Sequence, residues 1–267
     1  MSIADRVVNW LRPVRFRGKG RLVNPLIPKD GVRRATVFGS RLELDLSDLI
    51  QRLVYLGVYE REETNQVLRY LRPGMTFVDV GANIGYYTLM AASRVGPRGR
   101  VISVEPSPYA VERLEKAVRD NGLTQVTVVR GGLGDRESEV RLFIPEPGNH
   151  TPTMLGDDGA PAQMVSVKTL DACLAEWGLG AIDLLKIDVE GFEPRVFEGA
   201  ANALAARRIR AILCEFNDYW LLRAGTSARG FYESLLAKGF VDRDGRPHAF
   251  DGQVLTRLLV LKEFASP

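Results

Sequence analysis

The feature that most constrains this chain is a glycine-rich turn between a short apolar run and a helix-like segment. Residues 77–88 have the sequence FVDVGANIGYYT, in which 77–80 predict a buried strand and 85–94 predict a helix. Gly81 permits a sharp turn close to a ligand, and the helix beyond Gly85 presents unpaired N–H groups to an anionic group. This order of elements predicts a nucleotide-type binding site.

The alternation of strand, turn and helix continues along the chain and predicts a parallel α/β sheet. Short apolar runs predict strands at residues 77–80, 101–104, 126–129, 182–187 and 209–214. Helical patterns cover residues 85–94, 108–121, 194–206 and 228–238. Residues 240–241 and 258–261 predict a terminal antiparallel hairpin. This is the layout of a class I methyltransferase fold, an α/β, Rossmann-like, doubly wound and mostly parallel seven-stranded sheet with an antiparallel C-terminal hairpin.

The segment before the turn is predicted to be a separate N-terminal extension. It covers residues 1–50, with a short helix over 2–12 and a hairpin over 37–46, and the methyltransferase-type domain covers 51–267. Charge divides in a similar way. Residues 1–34 carry nine Lys/Arg against two Asp and are therefore +7, while the rest of the chain is −4.

Composition limits the class of protein further. A chain of 267 residues with 45% hydrophobic content can bury a full core. No apolar run approaches the roughly 18 residues of a membrane span, and the N-terminus lacks a secretory signal, so a cytoplasmic protein is expected. Cys173 and Cys214 have no paired spacing and are expected to be reduced core thiols. No cysteine or histidine cluster predicts a metal site.

Three interpretations of the glycine turn are open: a dinucleotide site, a site for a ligand without pyrophosphate, and a structural turn that binds nothing. Asn83 stands where a dinucleotide fingerprint has its second glycine, and it would crowd a pyrophosphate. S-adenosylmethionine suits the residues better, because Asp79 ends the first strand and is placed to accept from its ammonium. Glu105, at the end of the second strand, is placed to accept both ribose hydroxyls. The alternative for Glu105 is a solvated strand-end carboxylate.

Five stretches of the sequence match a known family. They are FVDVGANIGYYTL at 77–89, VISVEPSP at 101–108, GLGD at 132–135, LLKIDVEGFE at 184–193 and CEF at 214–216. Together they resemble the FkbM-type S-adenosylmethionine-dependent methyltransferases, and GVYEREET at 57–64 resembles the lead-in helix of that family. The resemblance covers roughly residues 50–245. It implies methyl transfer to a hydroxyl, often of a sugar, glycan or secondary metabolite.

The turn and the resemblance together assign a set of residues to the cofactor. These are Asp79, Gly81, Ala82, Asn83, Gly85, Tyr86, Glu105, Pro106, Ser107, Gly134, Asp135, Asp188, Tyr59 and Glu60. Asp135 follows the third strand and is placed to accept from the adenine amine, with a self-bonded turn as the alternative. Tyr59 and Glu60 are expected at the methionine end if the lead-in helix covers the crevice. Tyr86 or Tyr87 either faces the sulfonium or packs in the core.

A hydroxyl acceptor calls for a general base near the donor methyl group. Asp188 ends the fourth strand at the ligand edge of the sheet and is the first candidate, followed by Glu190, whose alternative role is favourable charge at the next helix. Lys186 lies within that buried strand and is expected to pair with Glu215, either as a structural pair or to position the acceptor or tune Asp188. His150, in a long Pro/Gly/Asp-rich loop, is a rival base if the loop closes.

The predicted partner is a small-molecule or glycan acceptor. The competing hypothesis is a nucleic-acid methyltransferase that uses residues 1–34 as an electrostatic arm, and a binding protein without catalysis is the third. Nucleic acid is disfavoured, since the sequence contains no recognisable nucleic-acid module. For residues 1–34 the sequence leaves three roles open: peripheral contact with the inner membrane surface, packing on the main domain, and packing on a second copy in a homo-oligomer.

Overall fold

Strands and helices alternate through most of the protein. The computed structural model describes residues 24, 27–144, 152–156, 161–243, 250 and 254–265. The strands are β1 Val32–Val37, β2 Ser40–Asp45, β3 Thr76–Val80, β4 Arg100–Glu105, β5 Val126–Arg130, β6 Gly132–Leu133, β7 Ser138–Phe143, β8 Ala162–Lys168, β9 Leu184–Ile187, β10 Ala211–Phe216, β11 Phe240–Asp242 and β12 Leu255–Leu261. The helices are α1 Leu49–Leu56, α2 Arg61–Tyr70, α3 Tyr86–Val95, α4 Pro108–Asp120, α5 Leu170–Glu176, α6 Glu193–Glu198, α7 Ala201–Ala205, α8 Asp218–Arg223 and α9 Ala228–Ala237, and a 3₁₀ turn spans Lys262–Phe264.

Seven strands form one sheet in the order β11-β12-β10-β9-β3-β4-β5. Neighbouring strands from β10 to β5 are parallel, while β12 is antiparallel to both of its neighbours. This arrangement confirms the predicted class I methyltransferase fold, including its antiparallel C-terminal hairpin. The winding reverses between β5 and β9, so β3 and β9 flank the switch point, where such sheets bind ligands.

Both faces of the sheet are covered by hydrophobic side chains. Successive residues of a strand point to opposite faces, so Val78 and Val80 belong to one buried cluster while Phe77 belongs to another that includes residues of α2 and α3. Asp79 on β3 and Lys186 on β9 are buried in this centre despite their charge. Charged residues are rarely buried without a partner, so two such residues on adjacent strands indicate that this part of the sheet does more than fill the core.

The interruption of the pattern after β5 is a small side sheet with the order β6-β8-β7. Strands β7 and β8 flank the long loop and pair in antiparallel fashion. Of the loop between them the structure describes residues 152–156, and Thr153 pairs with Phe143 at the end of β7. The side sheet thereby places part of this loop beside the main sheet.

The predicted N-terminal hairpin is confirmed as β1 and β2, and it packs on the helices that follow β3 and β4. Leu42, Leu44 and Leu46 are buried in one cluster with residues of α1, α3 and α4. Arg41 and Asn121 add reciprocal hydrogen bonds of 2.8 Å between the hairpin and the end of α4. The predicted boundary at residue 50 stays a prediction, although the hairpin shares a hydrophobic core with the domain that follows it.

The predicted helix over 2–12 and six of the nine cations of residues 1–34 lie outside the described residues. The predicted roles of this segment, a membrane contact or a homo-oligomer interface, therefore stay predictions. Within the part of the chain that the structure describes, no helix has the length and apolar character of a membrane span.

One predicted helix differs in the structure. The segment 194–206 forms two short helices, α6 and α7, with a break at Gly199 and Ala200. A Cβ on Gly199 would lie 1.9 Å from the carbonyl oxygen of Gly134, so this position fits closely against the turn after β6. The break follows from a tertiary contact, which helical periodicity in the sequence does not report. The short helices α5 and α8 were not anticipated either.

We expect Leu44→Ala to lower the free energy of unfolding by about 2–5 kcal/mol, because it removes a fully buried side chain from the core shared by the hairpin and the domain. Val32→Ala on the same hairpin, where the side chain is 49% exposed, should change it by less than about 1 kcal/mol. Denaturant titration of both variants is the measurement. Equal, small effects would show that the hairpin contributes little to the domain core.

Candidate functional site

A cleft with a volume of about 210 Å³ opens at the carboxyl ends of the central strands. Open parallel sheets bind small ligands in clefts at this edge. The polar side chains in its wall are Tyr59, Glu60, Asn83, Tyr86, Tyr87, Glu105, Lys186, Asp188, Glu190 and Glu215. Apolar wall residues that the sequence did not reveal are Ile50, Val54, Leu142, Pro152 and Met154. They come from α1 and the side-sheet region, and only tertiary packing brings them here.

The turn after β3 lies in direct backbone contact with the loop after β9. Gly81 has a φ of +81°, and a Cβ there would lie 1.9 Å from the carbonyl oxygen of Asp188. Glycine is therefore required both by conformation and by space. Asn83 is also left-handed, with a φ of +48°, and its side-chain oxygen accepts the N–H of Ile84 at 2.8 Å. Gly85 then precedes α3, so the turn brings the start of this helix toward the cleft.

Glu105 is the carboxylate that ties the turn to the second strand. Its side chain is 5% exposed and lies in the cleft wall. Oε2 accepts the N–H of Asn83 and Oε1 accepts the N–H of Ser107, both at 2.8 Å. Burial raises the pKa of Glu105 to about 7, although these two donors favour its charged form. Each oxygen keeps a further acceptor position, so the residue fits the two hydroxyls of a ribose.

The ammonium of Lys186 is buried beneath the cleft and paired. Its Nζ lies 3.1 Å from Oδ2 of Asp188, 4.0 Å from Oδ1 of Asp79 and 4.9 Å from the centre of the Tyr87 ring. Burial by itself lowers the pKa of Lys186, but the surrounding carboxylates outweigh it and raise the pKa. The predicted pairing with Glu215 is wrong. Asp188 lies two residues further along the same chain, on the same side as Lys186, and takes the ammonium instead.

Three further carboxyl groups crowd the same wall. Oε2 of Glu60 accepts the hydroxyl of Tyr87 at 2.6 Å, and burial raises the pKa of Glu60. Burial, helped by the charge of Asp188, raises the pKa of Glu190 to about 8 and that of Glu215 to about 9. With these pKa values both groups are protonated at neutral pH, and each can then donate a hydrogen bond. In the described ranges, no three Asp, Glu, His or Cys side chains are grouped to hold a metal ion.

The loop after β9 is supported by Glu193, which the sequence analysis missed. Glu193 is buried at the start of α6, and its Oε1 accepts the N–H of Val189 at 3.0 Å. Glu190 and Gly191 have φ values of +51° and +92°, and a Cβ on Gly191 would lie 2.8 Å from the Cβ of Trp220. An acid at a helix start was the available signal for Glu193. Its hydrogen bond fixes the path of the loop that carries Glu190.

The structure brings most of the predicted site residues together. Those in the cleft wall are Tyr59, Glu60, Gly81, Ala82, Asn83, Tyr86, Glu105, Pro106, Lys186, Asp188, Glu190 and Glu215. Those that do not reach the wall are Asp79, Gly85, Ser107, Gly134 and Asp135. Asp135 forms ion pairs with Arg136 at 3.0 Å and Arg195 at 3.8 Å instead of facing the cleft. His150 lies outside the described residues.

The sequence of this chain matches a known protein family. The sequence model of the methyltransferase FkbM domain matches residues 79–241, which is more than half of the chain. The 31-O-demethyl-FK506 methyltransferase FkbM of Streptomyces tacrolimicus is 32% identical over 178 residues, covering 55% of this chain and 67% of the relative. The AMB antimetabolite synthetase AmbE of Pseudomonas aeruginosa is 32% identical over 203 residues, covering 62% of this chain. This chain spans only 9% of AmbE.

Solved structures show similarity at low sequence identity. A methyltransferase FkbM from Methylobacillus flagellatus has a TM-score of 0.46 and 16% identity, over 80% of this chain and 53% of that protein. An rRNA methylase homologue from Clostridium thermocellum has a TM-score of 0.49 and 13% identity, over 75% of this chain and 94% of that protein. The fold assignment above stands on the strand order and directions, and does not depend on these scores.

Gly81→Ala is expected to abolish binding of S-adenosylmethionine and to lower Tm, because its Cβ would collide with the Asp188 carbonyl. Gly74→Ala is the matched control: it has a φ of +87° but open space around a new Cβ. Both variants carry backbone strain, so the difference between them isolates the contact of the two loops. Isothermal calorimetry and thermal unfolding are the measurements. Equal behaviour of the two variants would contradict a required contact.

The pKa of Glu105 predicts a pH dependence of S-adenosylmethionine binding. Its charged form is the better acceptor for a ribose, so the Kd should rise as pH falls below about 7, by at most about tenfold per pH unit. Glu105→Gln should bind more weakly and lack this component of the pH profile, whereas Glu115→Gln, an α4 surface variant, should keep it. Calorimetry between pH 5.5 and 8.5 gives the profiles. Parallel profiles for wild type and Glu105→Gln would exclude Glu105 as the titrating contact.

Proposed function

The chain belongs to the FkbM family of S-adenosylmethionine-dependent methyltransferases, and we propose that its acceptor is a hydroxyl group of a small secondary metabolite, sugar or glycan. A relative named as a methyltransferase of 31-O-demethyl-FK506 supports oxygen as the accepting atom. The structural observation that carries the proposal is Asp188. Its side chain is 27% exposed, lies in the cleft beside the cofactor-type turn and is ion-paired to a buried lysine.

The reaction sets two tasks for the protein. Bound S-adenosylmethionine supplies a methyl group on a sulfonium cation, so the residues of the cleft have to align the acceptor and take its proton. An alcohol is too weak an acid to lose this proton beforehand, and a positioned base must therefore take it during transfer. Oδ2 of Asp188 is engaged by Lys186, which leaves Oδ1 for the acceptor hydroxyl.

The pKa values of the neighbouring carboxyl groups make them poorer candidates for the base than Asp188. Glu190 and Glu215 have pKa values of about 8 and about 9, so they are protonated at neutral pH. A protonated carboxyl group donates a hydrogen bond to an ether or hydroxyl oxygen. These two residues thus suit an acceptor with several oxygens, as in a sugar or an oxygen-rich metabolite.

The charge of the cleft argues against a nucleic-acid acceptor. Five carboxyl groups line it, namely Glu60, Glu105, Asp188, Glu190 and Glu215, and Lys186 is already paired. Proteins recognise nucleic acid through Lys and Arg side chains that contact the phosphates. Carboxylates repel phosphates, because both are negatively charged. A small neutral acceptor meets no such repulsion.

A methyl-transfer screen with isotope-labelled S-adenosylmethionine tests the proposed function. Hydroxylated metabolites, free sugars and glycans form the test set, with tRNA and single-stranded DNA as comparison acceptors. We expect label in the product from at least one hydroxylated small molecule, bound through oxygen as shown by mass spectrometry of the product. Labelling of nucleic acid alone would overturn the proposal.

Asp188→Asn is expected to lower kcat on such an acceptor by about 10²- to 10⁴-fold, the usual range for loss of a general base. The Kd for S-adenosylmethionine should stay within a few-fold, because asparagine keeps the shape of the cleft. Glu190→Gln should retain kcat within about tenfold, since Glu190 is a donor in this scheme. Steady-state kinetics and calorimetry are the measurements. An unchanged kcat in Asp188→Asn would exclude it as the base.

A further inference from the structure

Asp79 is a charged group at the centre of the sheet that the proposed reaction does not yet use. Its side chain is 0% exposed and does not line the cleft. The register of the parallel strands pairs Asp79 on β3 directly with Lys186 on β9. Paired residues of adjacent strands point to the same face, so Asp79 stands beside the lysine and behind the cleft wall.

The two carboxylate oxygens of Asp79 have different surroundings. Oδ2 accepts the hydroxyl of Thr88 at 3.0 Å, and that hydroxyl also contacts Ser103 at 2.8 Å. Oδ1 is buried and has no hydrogen-bond partner among the described residues, while Nζ of Lys186 stands 4.0 Å away. A buried polar atom without a partner destabilises a fold. The missing partner of Oδ1 is explained if the Lys186 ammonium reaches this oxygen at another stage of the reaction.

We propose that Asp79 is a positioning residue that receives the Lys186 ammonium when Asp188 becomes neutral. The inference rests on the proposed hydroxyl methylation. In that reaction the acceptor oxygen bonds to the methyl carbon, the carbon–sulfur bond breaks with its electron pair left on sulfur, and the hydroxyl proton passes to Asp188.

Proton transfer removes the charge that balances Lys186. A buried ammonium without a counter-ion is strongly unfavourable. A movement of about 1 Å brings Nζ from its present distance to hydrogen-bond distance from Oδ1 of Asp79. Asp79 therefore stabilises the state in which Asp188 holds the proton, without touching acceptor or cofactor.

The electrostatics of Asp79 agree with this role. Burial raises the pKa of Asp79 to about 6, with Lys186 favouring its charged form and Asp188 and Glu60 opposing it. Glu105 is a further carboxyl group that interacts with it. Because the pKa in the folded protein is above the unfolded value, ionised Asp79 destabilises the fold. This destabilisation is full above about pH 6 and disappears as pH falls toward 4.

The test compares Asp79→Asn with Asp183→Asn. Asp183 accepts the N–H of Thr76 at 2.8 Å and pairs with Arg210 at the amino ends of the same two strands, far from the cleft. For Asp79→Asn we expect kcat to fall by about 10- to 100-fold, with the KM of the acceptor and the Kd of S-adenosylmethionine within about threefold. Its Tm should rise by several degrees at pH 7.5, and the gain should shrink below pH 6. Asp183→Asn should lower Tm and keep kcat.

A second comparison needs no acceptor and so separates this inference from the proposed function. Lys186→Met is made in the wild-type and in the Asp79→Asn background. If Lys186 and Asp79 interact, the loss of Tm caused by Lys186→Met is smaller in the Asp79→Asn background. Equal losses would overturn the interaction, whether or not an acceptor is known.

Two further results, one from binding and one from kinetics, would also overturn the inference. A Kd for S-adenosylmethionine that weakens in proportion to the loss of kcat would make Asp79 a cofactor ligand, as the sequence first suggested. An unchanged kcat in Asp79→Asn, measured with an acceptor that needs Asp188, would show that Lys186 needs no second counter-ion.

Discussion

The ammonium of Lys186, buried in the central sheet, is the charge around which the site is arranged. A buried ion is tolerated only when other groups compensate it, and here three elements do so. The parallel register supplies Asp79 from β3, the end of β9 supplies Asp188, and α3 supplies the ring of Tyr87. The hydroxyl of Tyr87 in turn donates to Glu60, just before α2. One interior charge thus links the middle of the sheet to the helical layer over the cleft.

Backbone contacts make the two halves of the cleft a single unit. Gly81 lies against the Asp188 carbonyl, so the glycine turn after β3 and the loop that carries the candidate base are packed directly on each other. Glu105 extends this unit to β4 by accepting the N–H of Asn83. Methyl transfer depends on alignment of donor and acceptor, for which such rigid coupling is suited. The position of Asp188 therefore depends on the glycine turn after β3 as well as on its own strand.

The sequence predicted the strands and the helices after β3 and β4 well, because their apolar periodicity is strong. It also predicted Asp188 and Glu105 in one cleft, since parallel strands end at a common edge. It failed on the partner of Lys186 because Asp79, Asp188 and Glu215 are all near in topology, and only register and side-chain direction separate them. Asp135 failed to reach the cleft for a related reason. The side sheet turns it toward Arg195, and no periodicity records that turn.

The net negative charge of the domain after residue 34 includes the carboxyl groups of the cleft. Residues 35–267 carry a net charge of −4, and five of their carboxyl groups meet in the cleft wall, where two of them, Glu190 and Glu215, are neutral at pH 7. Burial, with repulsion by Asp188, keeps Glu190 and Glu215 protonated, while Asp188 forms an ion pair with Lys186. In the proposed reaction, this wall supplies one paired carboxylate that takes a proton and two carboxyl groups that donate hydrogen bonds to acceptor oxygens. That combination suits a neutral, oxygen-rich molecule, and it is the opposite of the cationic surface that a phosphate backbone requires.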